Sequence, residues 1–180
     1  MSEMNRHRIF FALWPDEPLR QQLKQSLTPL LANTKARRVP MHNWHITLAF
    51  LGNVTDAIYE CAQLQAGDIT GLEFELTLDQ FGFWPRPRVV WLGCSSMPDP
   101  LNDLVSKLNS ALQACDFSPE HKIYNPHLTL LRKANQGLDV SSVEPIHWHV
   151  DHFVLVESLQ TKTGSVYKVI RRWPLSSTTA

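Results

Sequence analysis

The stretch NWHITLAFLG at residues 43–52 recurs in outline as NPHLTLLRKA at residues 125–134. Each sets a histidine two residues before a threonine inside an apolar run: His45 and Thr47 in the first, His127 and Thr129 in the second. On a strand, residues i and i+2 share a face about 6.5–7 Å apart, so each His–Thr pair projects together. Ile46, Leu48 and Phe50 are then expected on the buried face behind the first pair, and Leu128 and Leu130 behind the second. With eight histidines and eleven threonines in 180 residues, one His-x-Thr match arises about half the time by chance. Two copies in matching apolar settings weigh more than either alone.

A polar pair on a rigid strand, backed by core, suits a preorganised site. Neutral imidazole takes a proton and imidazolium gives one near neutral pH. Threonine hydroxyls can donate to the non-bridging oxygens of a group held between them. Two such pairs facing each other across a groove would fit a phosphodiester. One histidine would activate water, the other would protonate the leaving oxygen, and the threonines would hold the phosphoryl group. No carboxylate-rich cage surrounds either motif, so neither a metal nor another cofactor is expected.

Around these motifs, HRIFFALWP reads as a strand stopped by Pro15. Residues 16–31 place leucines at helical spacing, with Asp16 as N-cap, Pro18 in the first turn and Pro29 disturbing the end. TDAIYECAQLQAGDI reads as a second helix capped by Thr55 or Asp56. LEFELTLDQFGFW, residues 72–84, reads as one long strand, followed by RVVWLGC after the turn-forming PRP. DPLNDLVSKLNSALQAC carries an apolar stripe through Leu101, Leu104, Val105, Leu108, Leu112 and Cys115. The chain is expected to close with a hairpin turning near Lys162–Gly164 and a frayed tail over 174–180. This order, without a Gly/Ser-rich linker, predicts one α+β domain over 1–180 rather than a doubly wound parallel sheet.

The bulk numbers agree with a chain that buries a core. Hydrophobic residues make up 43% of the chain, and the formal net charge is zero. That argues against a broadly basic nucleic-acid coat protein, while leaving room for a local basic groove. Arginine and lysine cluster at 6–8, 35–38, 86–88 and 171–172. Cys61, Cys94 and Cys115 are odd in number and widely spaced, which predicts reduced, buried thiols and a cytoplasmic setting. No secretory leader pattern and no apolar run of about 20 residues is present, so no membrane span is expected. HWHVDH at 147–152 could be read as metal ligands, but a closed shell lacks a fourth ligand; a surface strand is the expectation.

HITLAFLG and PHLTLLR, with a leading RIFFAL strand and a middle RVVWLG strand, resemble the 2H phosphoesterase superfamily. Within it, the chain looks like the bacterial RNA 2′,3′-cyclic phosphodiesterase group, also called 2′-5′ RNA ligases (LigT/ThpR type). The resemblance runs from about Arg8 to Trp173. It implies a bilobal fold: two pseudo-symmetric lobes of antiparallel sheet with flanking helices around a central cleft. It implies hydrolysis of RNA 2′,3′-cyclic phosphate ends to 2′-phosphomonoesters without a cofactor, and reversible ATP-independent 2′-5′ joining. The implied partner is RNA with such an end, tRNA fragments among the candidates, acted on by a cytoplasmic monomer.

Carried onto this sequence, His45 would be the proton donor and His127 the proton acceptor, with Thr47 and Thr129 binding phosphate. The motifs are nearly symmetric and coupled imidazoles titrate as a pair, so that assignment comes from the resemblance alone. Arg132 is a candidate RNA contact, although strict alternation turns it away from His127 unless the strand ends or twists. Phe11 is either a stacking platform for the terminal base or ordinary core. Arg88 and Trp91 match the family strand in either a structural or a functional capacity. Two alternatives stand beside this reading. One is a phosphodiesterase for 2′-5′ oligonucleotides or small cyclic nucleotides; the other is a non-catalytic RNA-end-binding protein.

Overall fold

A computed structural model describes residues 6–119, 122–139, 143–162 and 164–177. Ten strands and three α-helices follow in the order β1 (Arg6–Leu13), α1 (Glu17–Leu27), β2 (Arg37–Arg38), β3 (Ile46–Thr55), α2 (Asp56–Gly67), β4 (Phe74–Leu78), β5 (Gln80–Trp84), β6 (Val89–Gly93), α3 (Asp99–Leu112), β7 (His127–Arg132), β8 (Ile146–Val150), β9 (His152–Thr161) and β10 (Gly164–Pro174). The main sheet runs β10-β9-β1-β3-β7-β6-β5, with β2 also paired to β7. Every paired neighbour is antiparallel. The sheet therefore divides into two four-stranded halves that meet where β3 touches β7.

That meeting is a single paired position, Ile46 opposite Leu128. One face of the sheet carries Ile9, Phe11, Leu13, Ile46 and Leu128, all inaccessible to solvent, against the helices. α2 and α3 pack on each other and on β3, while α1 packs against β8 and the short 3-10 turn Met41–Asn43. The opposite face holds a smaller apolar patch of Phe10, Ala12, Val154 and Val156 flanked by Trp14 and Tyr167. Burying a side chain such as Phe11 contributes about 1.5–3 kcal/mol.

The capping residues act as their chemistry suggests. The Asp16 carboxylate accepts from the Leu19 amide at 3.0 Å, and Thr55 Oγ1 accepts from Ile58 at 3.5 Å. The stripe expected for α3 is buried from Leu101 to Leu112.

Four expectations need correction. Residues 72–84 form two strands, not one, because Asp79 turns the chain between sheets. Its carboxylate accepts from the Ser95 amide at 2.7 Å and the Ser95 hydroxyl at 2.6 Å, and its own amide donates to the Gly93 carbonyl at 3.0 Å. β4 then pairs with β8 and β5 with β6. The tail is not frayed through residue 177: Leu175 is buried, and its amide donates to Asp151 at 2.7 Å. Ser176 exchanges backbone bonds with Gly71 and Glu73, whereas residues 178–180 lie outside the described residues. Cys61 and Cys115 are not separate thiols but a disulfide, brought together by the α2–α3 packing, and only Cys94 is free. Phe50, expected in the core, is 49% exposed.

HWHVDH covers β8 and the start of β9, with Trp148 buried between outward His147 and His149. His149 lies between Glu75 and Glu73 at 2.7 and 3.3 Å. The 147–149 stretch is thus a half-buried strand with an ionic outer face. No helix of the described residues is long and apolar enough to cross a membrane.

Candidate active site

The Ile46–Leu128 pairing sets the site. Ile46 and Leu128 both point into the core, so their neighbours His45, Thr47, His127 and Thr129 lie on the other face of the sheet at this junction. Residues that flank a core-facing strand residue share the opposite face, so the four gather on the side away from the helices. They line one cleft of about 470 Å³ together with Arg8, Phe10, Phe50, Arg132, Ser158, Gln160, Ser165 and Tyr167. The structure thus unites all four motif residues.

The backbone carbonyl two residues ahead of each histidine sets the ring orientations. His45 Nδ1 donates to the Asn43 carbonyl at 2.7 Å, and His127 Nδ1 to the Asn125 carbonyl at 2.8 Å. A carbonyl can only accept, so each neutral ring keeps its proton on Nδ1 and offers the Nε2 lone pair. At His45, that nitrogen receives the Thr47 hydroxyl at 3.1 Å.

The two rings sit in different enclosures. His45 stacks on Trp14 at 5.7 Å, lies 4.8 Å from Phe10, and meets Tyr167 edge-on at 5.3 Å. Arg20 from α1 supports that wall: its guanidinium lies 5.0 Å from the Trp14 ring and donates to the Met41 carbonyl. His127 instead meets Trp84 edge-on at 4.5 Å and Trp91 at 6.4 Å. Gly82 makes room for that indole, since a Cβ there would stand 1.9 Å from Trp91 Cζ2. Burial pushes His45 down to about 4, only partly offset by the Asn43 carbonyl, with His127, Arg20 and Arg132 pressing the same way. Burial also holds His127 below its usual value. Both rings are therefore mostly neutral at pH 7.

β-bulges place the remaining side chains. Thr129 pairs with Trp91 but Leu131 with Val90, leaving Leu130 as the extra residue and returning Arg132 to the face of His127 and Thr129. Strict alternation, which turned Arg132 away, fails for that reason. The same shift occurs in the first motif: Thr47 pairs with Ala12 but Ala49 with Phe11, so Phe50 joins His45 and Thr47 in the cleft. The two motifs are thus related to the fifth residue after each histidine, ending in Phe50 on one side and Arg132 on the other. Arg8 sits 4.9 Å from the Phe50 ring.

Phe11 is not a platform. It is fully buried, 6.3 Å from Phe153 and 5.8 Å from Trp173, on the core face. Its neighbour Phe10 and the overlooked Phe50 face the cleft. Arg88 is structural, donating to the Ala134 and Lys133 carbonyls at 3.1 and 3.2 Å. Tyr124 was also overlooked; its hydroxyl donates to the Thr47 carbonyl at 2.9 Å and anchors β3 beside the site.

Comparison with known proteins identifies the fold and its family. The family model described as LigT-like phosphoesterase matches twice, over residues 13–91 and 92–167, so that each match holds one His-x-Thr motif. The RNA 2′,3′-cyclic phosphodiesterase of Escherichia coli K12 is 33% identical over 171 residues, covering 94% of this chain and 97% of that protein. A protein of the same name from Archaeoglobus fulgidus is 27% identical, covering 91% and 98%. The crystal structure of E. coli LigT complexed with 3′-AMP superposes with a TM-score of 0.88 at 32% identity, over 96% of this chain and 99% of that one. The chain belongs to the LigT-like phosphoesterase family.

Proposed function

We propose that this chain hydrolyses the 2′,3′-cyclic phosphodiester at RNA ends to a 2′-phosphomonoester. The observation that carries the reading is the quartet itself: two imidazole Nε2 atoms and two threonine hydroxyls brought into one cleft across the Ile46–Leu128 pair. The relatives named as RNA 2′,3′-cyclic phosphodiesterases, and the 3′-AMP complex of E. coli LigT, support the substrate class.

In this reading His127 Nε2 takes a proton from water as the water oxygen attacks phosphorus. The bond from phosphorus to the 3′ oxygen breaks, and that oxygen leaves with the proton of His45 Nε2. Thr47, Thr129 and Arg132 hold the non-bridging oxygens as charge builds on them. His127 stands on the more exposed side and His45 in the aromatic enclosure, which favours His127 as the group that meets water. The anionic phosphate raises the pKa of the imidazole it touches, which offsets the effect of burial and favours the protonated His45 that the step needs. With a 5′-hydroxyl attacking in place of water, the same displacement would join two ends through a 2′-5′ linkage, and its reverse, attack by the 3′-hydroxyl, would cut that linkage. One chain supplies the whole quartet, which fits a monomer acting on cytoplasmic RNA fragments, those of tRNA included.

The test is turnover of an oligoribonucleotide with a 2′,3′-cyclic end. His45→Ala and His127→Ala are each expected to lower kcat by about 10²–10⁴-fold. Undiminished turnover in both variants would sink the mechanism. Tight binding by the native protein without turnover would instead identify an RNA-end-binding protein.

A further inference from the structure

Continuous with the catalytic cleft lies a second concavity of about 410 Å³ that shares His45, Thr129, Arg132, Gln160, Ser165 and Tyr167 with it but not His127. Its floor carries two arginines in direct register, Arg37 of β2 opposite Arg132 of β7. The bulge at Leu130 turns Arg132 toward the cleft, and opposed residues of an antiparallel pair share a face, so Arg37 points the same way. The Arg37 side chain makes no hydrogen bond or ion pair with any described residue. Its guanidinium lies over the β9–β10 turn, 3.3 Å from where a Cβ on Gly164 would be. Arg38, by contrast, spends its guanidinium on the Leu31 and Ala32 carbonyls at 2.7 and 3.2 Å.

Like charges directly opposed on a sheet repel, and no aspartate or glutamate lines this groove. In a chain of zero net charge, that leaves a local cationic slot. Gln160 and Ser165, hydrogen-bonded to each other at 3.0 Å, border it on the other side. Such a slot is complementary to an anion that two guanidinium groups can share.

Direction identifies the anion. In an in-line displacement the attacking and leaving oxygens stand on opposite sides of phosphorus. With water at His127, the ribose that carries the leaving oxygen lies on the His45 side. The rest of the RNA strand must leave from there, and the cationic groove opens there. We propose that this groove is an upstream-phosphate subsite: Arg37 binds the phosphodiester one nucleotide 5′ of the cyclic phosphate, and the protein thereby prefers oligonucleotide ends to cyclic mononucleotides. The proposal rests on the hydrolytic reading above and names the substrate class within it.

The experiment compares kcat/KM for 2′,3′-cyclic AMP and for a trinucleotide ending in a 2′,3′-cyclic phosphate. Native protein, Arg37→Gln, and Lys24→Gln as a charge control on the exposed side of α1 would be assayed at two salt concentrations. The native protein is expected to prefer the trinucleotide. Arg37→Gln should cut that preference about tenfold, mostly through KM, and reduce the magnitude of the salt slope of trinucleotide binding by about 0.7. Lys24→Gln should keep the native ratio. Equal native kcat/KM for both substrates, or an Arg37→Gln loss that is the same for both, would overturn the proposal. If native protein turns over neither substrate, the hydrolytic reading fails, and anisotropy titration with a trinucleotide bearing a 2′-phosphate decides the subsite. About tenfold weaker binding by Arg37→Gln supports it, and unchanged binding refutes it.

Discussion

His45 shows how one side chain can be both well held and poorly charged. Its Nδ1 proton is fixed by a backbone carbonyl and its ring is walled by Trp14, Phe10 and Tyr167. That packing gives orientation at the expense of the cation, which falls to about 4. His127 is displaced in the same direction, also by burial. The pH dependence of kcat/KM reports free-enzyme groups. The productive state, one ring protonated and one neutral, is most populated between two depressed values. A bell-shaped kcat/KM profile with its maximum below pH 6.5 is therefore expected. The kcat profile should lie at higher pH, because bound phosphate raises the imidazole it contacts. A kcat/KM maximum above pH 7.5, or a flat profile from pH 5 to 9 with chemistry rate-limiting, would contradict this assignment.

At the level of strands, what matters is where the two-residue period breaks. The bulges at Leu48 and Leu130 each slip the face by one residue, delivering Phe50 and Arg132 to the site. Phe50→Ala should raise KM for a nucleotide substrate severalfold through lost base stacking, with little change in Tm. Phe11→Ala should cost about 3–5 kcal/mol of stability, measured by urea unfolding, and alter KM little in the protein that remains folded. The reverse pattern would mean that the two phenylalanines exchange roles. The His-x-Thr pairs were legible in the sequence because both bulges fall after the threonine and leave the alternation within each pair intact. Phe50 was not: at the fifth position the outcome depends on a bulge set by pairing with β1, and no local residue announces it. Helices α1 and α3 were legible through caps and stripes, which are local. The break at Asp79 was hidden because its partner, Ser95, lies sixteen residues away.

Across the whole molecule, the features invisible in the sequence are those created by distant packing. Cys61 and Cys115 meet because α2 crosses α3, and they close a loop of 54 residues. Spacing gave no hint of this, and the odd cysteine count pointed the other way. Such a loop is worth about 2–4 kcal/mol through the unfolded state. Reduction, or the paired Cys61→Ser and Cys115→Ser change, should lower the urea midpoint accordingly; identical midpoints with and without reductant would mean the thiols are unpaired. The tail reaches back to Gly71 and Glu73, which polar composition alone could not foretell.

A sheet parted at its middle has a further consequence. Strands that separate after one paired position expose backbone donors and acceptors, the kind of border on which foreign chains can polymerise. Here β7 is sealed by residues 37–39, with the Val39 amide donating to the Leu130 carbonyl at 2.8 Å. On β3 the Thr47 carbonyl is taken by Tyr124. An intruding strand would first have to displace β2 and then settle between two arginines. The opening between the two motif strands is thereby guarded against strand addition, and the fold keeps its slot without inviting aggregation.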